Sequence, residues 1–324
     1  MSADEPDRVI HADNLDVLRS FPDGRFTLVY LDPPFNTGRP QARRSLRHVR
    51  QDVADAAGPE PSGTELGGGS PDERRPDDVP VADASGTDTA LEPDRRLTVT
   101  GFAGKRYERI RGDLLRYDDR FDDYWAFLEP RLVEAWRLLA DDGTLYLHLD
   151  YREAHYAKVL LDALFGRECF LNELIWAYDY GAKSKRRWPT KHDTILVYVK
   201  DPESYFFDSE AVDREPYMAP GLVTPEKAAR GKLPTDVWWH TIVSPTGREK
   251  TGYPTQKPEG VLRRIVQASS RPGDWVLDAF AGSGTTGAVA RSLGRRFVLV
   301  DEHADAIAVM RRRFADAAGI RFDH

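Results

Sequence analysis

The sequence predicts an α/β fold, a doubly wound and mainly parallel sheet of seven strands. Short apolar runs alternate with segments of helical spacing along most of the 324 residues, the pattern of a sheet covered by helices on both faces. One strand-to-helix junction, VLDAFAGSGTTG, places glycines at 282, 284 and 287, where the backbone must turn tightly before a helix begins. The length suits one large α/β domain with a sizeable core.

Taken in order, RVIHA (8–12) and FTLVYL (26–31) read as short buried strands, with NLDVLRSF between them as a helix that Asp13 or Asn14 caps. Residues 51–94 contain no Phe, Trp or Tyr and are rich in Gly, Pro, Asp and Ser. Such a segment buries too little apolar area to offset its ordering entropy, so it is expected to be a disordered insert. It interrupts one domain, because the 50 residues before it are too few for most autonomous folds. DDYWAFLEPRLVEAWRLLADDG has helical spacing at Trp125, Leu128, Leu132, Trp136 and Leu139, is expected to end at Asp142-Gly143, and to kink or restart at Pro130. TLYLHL (144–149) is a strand, YREAHYAKVLLDALFG a helix stopped by Gly166, and LNELIWAY and TILVYV are strands. Residues 201–251 have many prolines and no clean period, and read as a lobe or an elaborated loop. PEGVLRRIVQASS is a helix with proline in its first turn, followed by the strand WVLDAF, the helix GTTGAVARSLG, the strand RFVLV and the helix HADAIAVMRRRFADAA. The main domain is thus expected in three parts, residues 1–50, 95–200 and 252–324.

Composition narrows the function. The single cysteine, Cys169, forms no internal disulfide and no multi-cysteine metal site, and fits a reducing compartment. MSADEPDRVIHAD lacks the basic start and apolar core of a signal peptide, and no apolar run approaches the ~20 residues of a membrane span. A soluble, cytoplasmic protein is expected. The net charge of −7 is uneven: residues 51–94 hold twelve acids and two arginines, which leaves the remainder at +3. Basic clusters flank that segment, and a third comprises Lys183, Lys185, Arg186, Arg187 and Lys191 with Trp188 inside it. Clustered cations around an aromatic ring suit a phosphate backbone and an unstacked base, although each cluster alone also reads as a solvated surface.

Two stretches carry chemistry. In LVYLDPPFNTG, a buried strand runs into Asp32, Pro33 and Pro34. Two prolines remove two backbone donors and fix φ, so the strand must stop and its last carbonyls remain available. In VLDAFAGSGTTG, the glycine spacing and Asp301 at the end of the next strand meet the sequence tests for a dinucleotide site. An NAD-dependent oxidoreductase is therefore one reading. Against it, only 37 residues follow Gly287, and the Asp-Pro-Pro-Phe stretch has no task. A cofactor with an adenosine and no pyrophosphate, S-adenosylmethionine, also needs the glycines and the acid.

LDPPFNTG together with TQKPEGVLRRIVQASSRPGDWVLDAFAGSGTT resembles the DNA amino-methyltransferases of the β class, in which the catalytic motif precedes the cofactor motif. The resemblance covers most of residues 8–50 and 112–318, and the stretch from Tyr124 to Lys200 is also similar to modification subunits of type III restriction systems. It implies a Rossmann-like S-adenosylmethionine-dependent methyltransferase fold whose first and last predicted strands lie side by side. Asp13, Asp32, Asp278 and Asp301 then converge on the rim at the strands' carboxyl ends.

The resemblance also implies roles. The Asp32 carboxylate and the Pro33 carbonyl, on a turn fixed by Pro34, would accept the two N–H bonds of a base amine, and Phe35 would stack on the base. Phe280, Gly282, Gly284 and Thr285 would surround the methionine and ribose of the cofactor, with Asp301 on the ribose hydroxyls and Asp13 near the adenine amine. Thr255 and Lys257 would approach the methionine carboxylate, and Asp278 would shape the loop more than touch the cofactor. Trp188 and His192 are read as lining a flipped-base pocket opposite Phe35, or else as packing. Trp238 and Trp239 are read as core. His148, Asp150 and His155 lack a third strong metal ligand, so no metal is expected and Asp150 is taken as a polar wall of the site.

The expected substrate is double-stranded DNA, flipped at an adenine and methylated at N6 by direct displacement. Asp-Pro-Pro leans toward adenine because relatives acting on cytosine N4 more often carry serine at the first position; cytosine N4 remains the alternative. Residues 201–251 would form a small target-recognition region with a homodimer mate or restriction subunit assisting; residue type alone does not name its base readers, Arg248 and Lys250 being candidates. An RNA or free-nucleotide methylase and a nonenzymatic DNA-binding module are the other readings.

Overall fold

A computed structural model describes residues 5–34, 122–179, 181, 183–244 and 246–324, all within one compact unit. The predicted insert at 51–94 and Phe35 lie outside the described residues.

The elements follow in chain order. Strand β1 (Asp7–His11), helix α1 (Asn14–Ser20) and β2 (Phe26–Leu31) come first, then α2 (Asp122–Leu138), β3 (Leu139–Leu149) and α3 (Ala154–Phe165). Strands β4 (Phe170–Ala177) and β5 (His192–Val199) precede a short helix α4 (Pro225–Arg230) and strand β6 (Val237–Trp239). Helix α5 (Glu259–Ser269), β7 (Trp275–Asp278), α6 (Thr285–Ser292), β8 (Arg296–Asp301), α7 (Ala304–Arg313) and β9 (Ile320–Asp323) complete the chain.

The described strands form one sheet in the order β6-β4-β5-β3-β2-β7-β8-β1-β9. Strand β5 runs against both its neighbours, and every other pairing is parallel. All seven predicted strands are present, and β1 lies beside β8 as expected. Two further strands cap the edges, β6 on β4 and β9 on β1. Neither has a run long enough to show a period in the sequence. The helix predicted to reach Asp142-Gly143 ends instead at Leu138, because Leu139 pairs with Phe26 and the chain then bulges before Thr144 meets Leu28. Pro130 sits inside α2 and does not end it.

Alternation along β2 explains the double layer. Val29 and Leu31 join Leu18 of α1, Leu128 and Leu132 of α2 and Leu161 of α3 in one core. Leu28 and Tyr30 join Val261 and Ile265 of α5, Val289 of α6 and Met310 of α7 in the other. A strand buried on both faces must be apolar throughout, as FTLVYL nearly is. Gly287 lets α6 lie close on β8: a Cβ there would come within 2.6 Å of Leu299 Cδ1.

Winding reverses between β2 and β7. From β2 the chain passes through α2 to β3 on one side, and from β7 through α6 to β8 on the other. Ligand crevices of open α/β sheets form outside the carboxyl ends of strands at such a reversal.

Candidate active site at the carboxyl rim

Because β1, β2, β7 and β8 are parallel, their register fixes what meets at that rim. Tyr30 lies opposite Asp278, Asp278 opposite Leu299, and His11 opposite Asp301. Asp32, one residue past β2, thus stands beside the loop that leaves β7, since paired strands are ~4.8 Å apart. The four acids expected on one rim are on one rim.

Gly282 and Gly284 have φ of 50° and 72°, a left-handed conformation that glycine adopts without strain. Their loop is held by acids. Asp301 Oδ2 accepts from Gly282 N at 2.8 Å, and its Oδ1 accepts from His303 N at 2.9 Å. Asp278 accepts from Phe280 N at 3.0 Å and from Thr286 Oγ1 at 2.6 Å. Burial pushes the Asp278 carboxyl up to about 7 against the pull of these two bonds, with the charges of Asp32 and Asp301 adding to the rise. Burial also raises Asp301. Thr285 is buried, its hydroxyl bonded to Ser283 Oγ at 3.0 Å.

Arg131, on α2, braces the other side. Its guanidinium donates to Asp13 Oδ2 (2.9 Å), Asn14 Oδ1 (2.5 Å) and the Phe127 carbonyl (2.7 Å). Asn14 Nδ2 in turn donates to the Ala279 carbonyl at 2.7 Å, tying the end of β1 to the glycine loop. Asp13 caps α1, accepting from Leu15 N at 2.8 Å. The Phe127 ring lies 6.0 Å from that of Phe280. Arg131 reads in the sequence only as an arginine on a helix that must bury one face.

Asp32 Oδ2 is in contact with Lys257 Nζ, and the two side chains are only 15% and 12% exposed. The TQKP lysine therefore reaches across to the proline turn, 225 residues away in sequence. Pro33 is buried, while Pro34 and Thr255 are exposed. The TQKP segment is anchored by Gln256, whose Nε2 donates to the Glu249 carbonyl at 2.6 Å and whose Oε1 accepts from Thr251 N at 2.8 Å. Tyr253 packs over the glycine loop, so that a Cβ on Gly282 would lie 3.1 Å from its Cε1. Sequence reasoning missed Tyr253.

Behind Asp32 runs a buried polar chain. Tyr30 Oη and His148 Nδ1 are hydrogen bonded at 2.7 Å, His148 Nε2 and Asp193 Oδ2 at 3.2 Å, and Tyr178 Oη donates to Asp193 Oδ1 at 3.0 Å. Burial works to raise Asp193, but the hydrogen bond and charge of His148, with Lys257 nearby, carry it below the usual carboxylate range. Asp150 is buried and paired with Arg152. Among the described residues no group of three or more His, Cys, Asp or Glu is arranged to hold a metal ion.

The loop between β4 and β5 rises from the same rim, because β4 is parallel to β3 through the shared neighbour β5. Lys183, Lys185, Arg186, Arg187 and Trp188 on it are exposed, and Lys191 and His192 are half-buried at its return. Trp188 is therefore not a packing residue. Trp238 is core as expected, whereas Trp239 is 72% exposed. The strand alternates, so adjacent tryptophans face opposite ways.

The family described as DNA methylase, the N6/N4 methyltransferases, matches residues 26–312. DNA adenine methyltransferase YhdJ of Escherichia coli (strain K12) is 33% identical over 204 residues, covering 60% of this chain and 67% of that protein. Type II methyltransferase M.HpaI of Haemophilus parainfluenzae is 31% identical over 193 residues, covering 60% of this chain; the match spans only 60% of M.HpaI itself. Among solved structures, the PvuII DNA methyltransferase (cytosine-N4-specific) superimposes with a TM-score of 0.58 at 15% identity, covering 98% of this chain and 91% of that one. The M1.HpyAVI–SAM complex does so with a TM-score of 0.53 at 17% identity, covering 95% and 98%. At these identities the structural likeness speaks for the fold, whereas the family match spans both the proline turn and the glycine loop. The chain belongs to the DNA methylase family of N6/N4 methyltransferases.

Proposed function

We propose that the protein methylates the exocyclic N6 of adenine in double-stranded DNA, with S-adenosylmethionine as donor. One observation carries this reading: the winding reverses between β2 and β7, which sets Asp32 beside the glycine loop. The adenine preference rests on the Asp-Pro-Pro turn and on similarity to an adenine methyltransferase.

The residues present fit the donor. Gly284 lets the loop lie against Met310, 2.8 Å from a Cβ placed there, and Gly282 lets Tyr253 close over it, 3.1 Å from such a Cβ. Asp301 uses each oxygen once, so lone pairs remain to accept ribose hydroxyls. Phe280 and Thr285 belong to that loop, Thr255 lies in sequence between Tyr253 and Lys257, and Asp13, braced by Arg131, follows the end of β1. Bound there, S-adenosylmethionine supplies an electrophilic methyl group.

The chain's own residues perform the rest by positioning. The amine lone pair of adenine is delocalised into its ring, and acceptors on both N–H bonds favour the tetrahedral geometry needed for attack. Asp32 provides one acceptor. The Pro33 carbonyl, left free by the proline turn, provides the other, and Phe35 supplies stacking. Lys257, in contact with Asp32, holds that side chain in place. Since the target amine lies inside the duplex, the base must first be flipped, at a cost of a few kcal/mol that contacts in the site offset. Lys183, Lys185, Arg186, Arg187 and Lys191 would take phosphates. Residues 201–251 would read a short target with help from a dimer mate or restriction subunit.

Expression in a methylation-free host, followed by single-molecule sequencing of the genome, tests this reading. N6-methyladenine at one recurrent sequence is expected. N4-methylcytosine would overturn the choice of base, and an unmodified genome the activity.

A further inference from the structure

The basic loop between β4 and β5 is a built projection. Its base is closed by Tyr178 N donating to the Lys191 carbonyl at 2.9 Å and by Lys191 Nζ donating to the Asp179 carbonyl at 2.9 Å. Near its tip, Ser184 Oγ accepts from Arg186 N and Arg187 N, both at 3.2 Å. Arg187 Nη2 then donates to Tyr151 Oη at 3.3 Å, with the guanidinium 5.7 Å from that ring's centre. Tyr151 follows the end of β3, the strand next to β2, so this contact moors the loop beside the rim that carries Asp32.

On this moored loop Trp188 is 93% exposed. Holding an indole in water on a constrained loop costs solvation free energy, and Pro189 directly after it restricts the backbone further. A side chain so exposed forms no wall of a cavity. Its neighbours Lys183, Lys185, Arg186 and Arg187 are exposed cations, a composition complementary to a phosphate backbone and unlike an apolar protein partner. A flat apolar ring between cations, beside a site that needs an extruded base, matches the side chains that enter base stacks from a phosphate-bound scaffold.

Resting on the methyltransferase reading above, we propose that Trp188 is a wedge. It enters the duplex at the space vacated by the target base and stacks on the orphaned partner, while the loop cations hold the flanking phosphates. This differs from lining the pocket that receives the flipped base. A pocket wall helps whenever the base is bound, whereas a wedge matters only when opening the pair is costly.

The test uses the full protein and duplexes carrying the target found by genome mapping, so that an absent activity is recognised before Trp188 is questioned. Two duplexes are compared, one with a normal pair and one with an abasic site opposite the target base. For Trp188→Ala the methylation rate and the 2-aminopurine flipping signal are expected to fall about 10- to 100-fold on the paired duplex, the scale of one lost stacking contact. On the abasic duplex the rate should stay within about threefold of wild type, and Trp188→Phe should retain most activity on both. Equal losses on the two duplexes would assign Trp188 to the base pocket and overturn the wedge. Unchanged activity on the paired duplex would overturn it as well.

Discussion

Replacing Asp278 by asparagine is expected to stabilise the protein at alkaline pH without abolishing activity. Asp278 is 3% exposed, and burial, reinforced by Asp32 and Asp301, lifts its carboxyl from 3.8 to about 7. An acid whose pKa is higher folded than unfolded binds its proton more tightly when folded. Its contribution is most favourable below the unfolded pKa and is lost as pH rises through the folded one. The span of roughly three pH units corresponds to about 4 kcal/mol of stability lost between pH 4 and pH 8, an order of magnitude for one buried group. Asparagine fits the same place: its carbonyl can accept from Phe280 N, and its amide can donate to Thr286 Oγ1, reversing one bond. Urea unfolding of both proteins at pH 5 and pH 8 checks this. The variant's stability relative to wild type should be about 2–3 kcal/mol more favourable at pH 8 than at pH 5, and it should still bind S-adenosylmethionine. A variant destabilised equally at both pH values would refute the reasoning, because Asp278 would then hold the loop as a permanent anion.

Three further outcomes follow from the same contacts. Gly287→Ala would push a methyl to 2.6 Å from Leu299, so thermal unfolding should reveal a loss of about 1–3 kcal/mol. Arg131→Met strips a partner from the half-exposed Asp13 and leaves the buried Asn14 Oδ1 without its donor; calorimetry should report weaker S-adenosylmethionine binding, and urea melts a loss of about 1–3 kcal/mol. Lys257→Met leaves Asp32 and Asp193 without their nearby ammonium, and steady-state kinetics should show kcat lowered about 10- to 100-fold, the scale of a hydrogen bond to a charged group, with Lys257→Arg recovering part of it.

The strands of the central sheet were legible because a strand buried on both faces must be apolar, and FTLVYL, TILVYV and RFVLV are nearly so. The rim of acids was legible as well, since each ends or follows a strand. Lys257 meeting Asp32 was not, because the contact depends on how the loop before α5 crosses the rim, and Gln256 fixes that path through bonds no pattern announces. Arg131 and Tyr253 escaped for the same reason: their partners come from distant parts of the chain. Helical spacing continues through Leu139, while pairing with Phe26 draws it into the sheet. Strand β6 has three residues, two of them tryptophan, and two of the three side chains face solvent. Only its neighbour β4 makes it a strand.

The account rests on Asp32 and the glycine loop forming one site across β2 and β7. Single-turnover transfer of a labelled methyl group to the mapped duplex by Asp32→Ala tests this most directly, with cofactor binding measured on the same sample. Loss of one transition-state acceptor should slow transfer about 100- to 1,000-fold while the cofactor binds nearly as in wild type. Transfer at the wild-type rate would contradict the account.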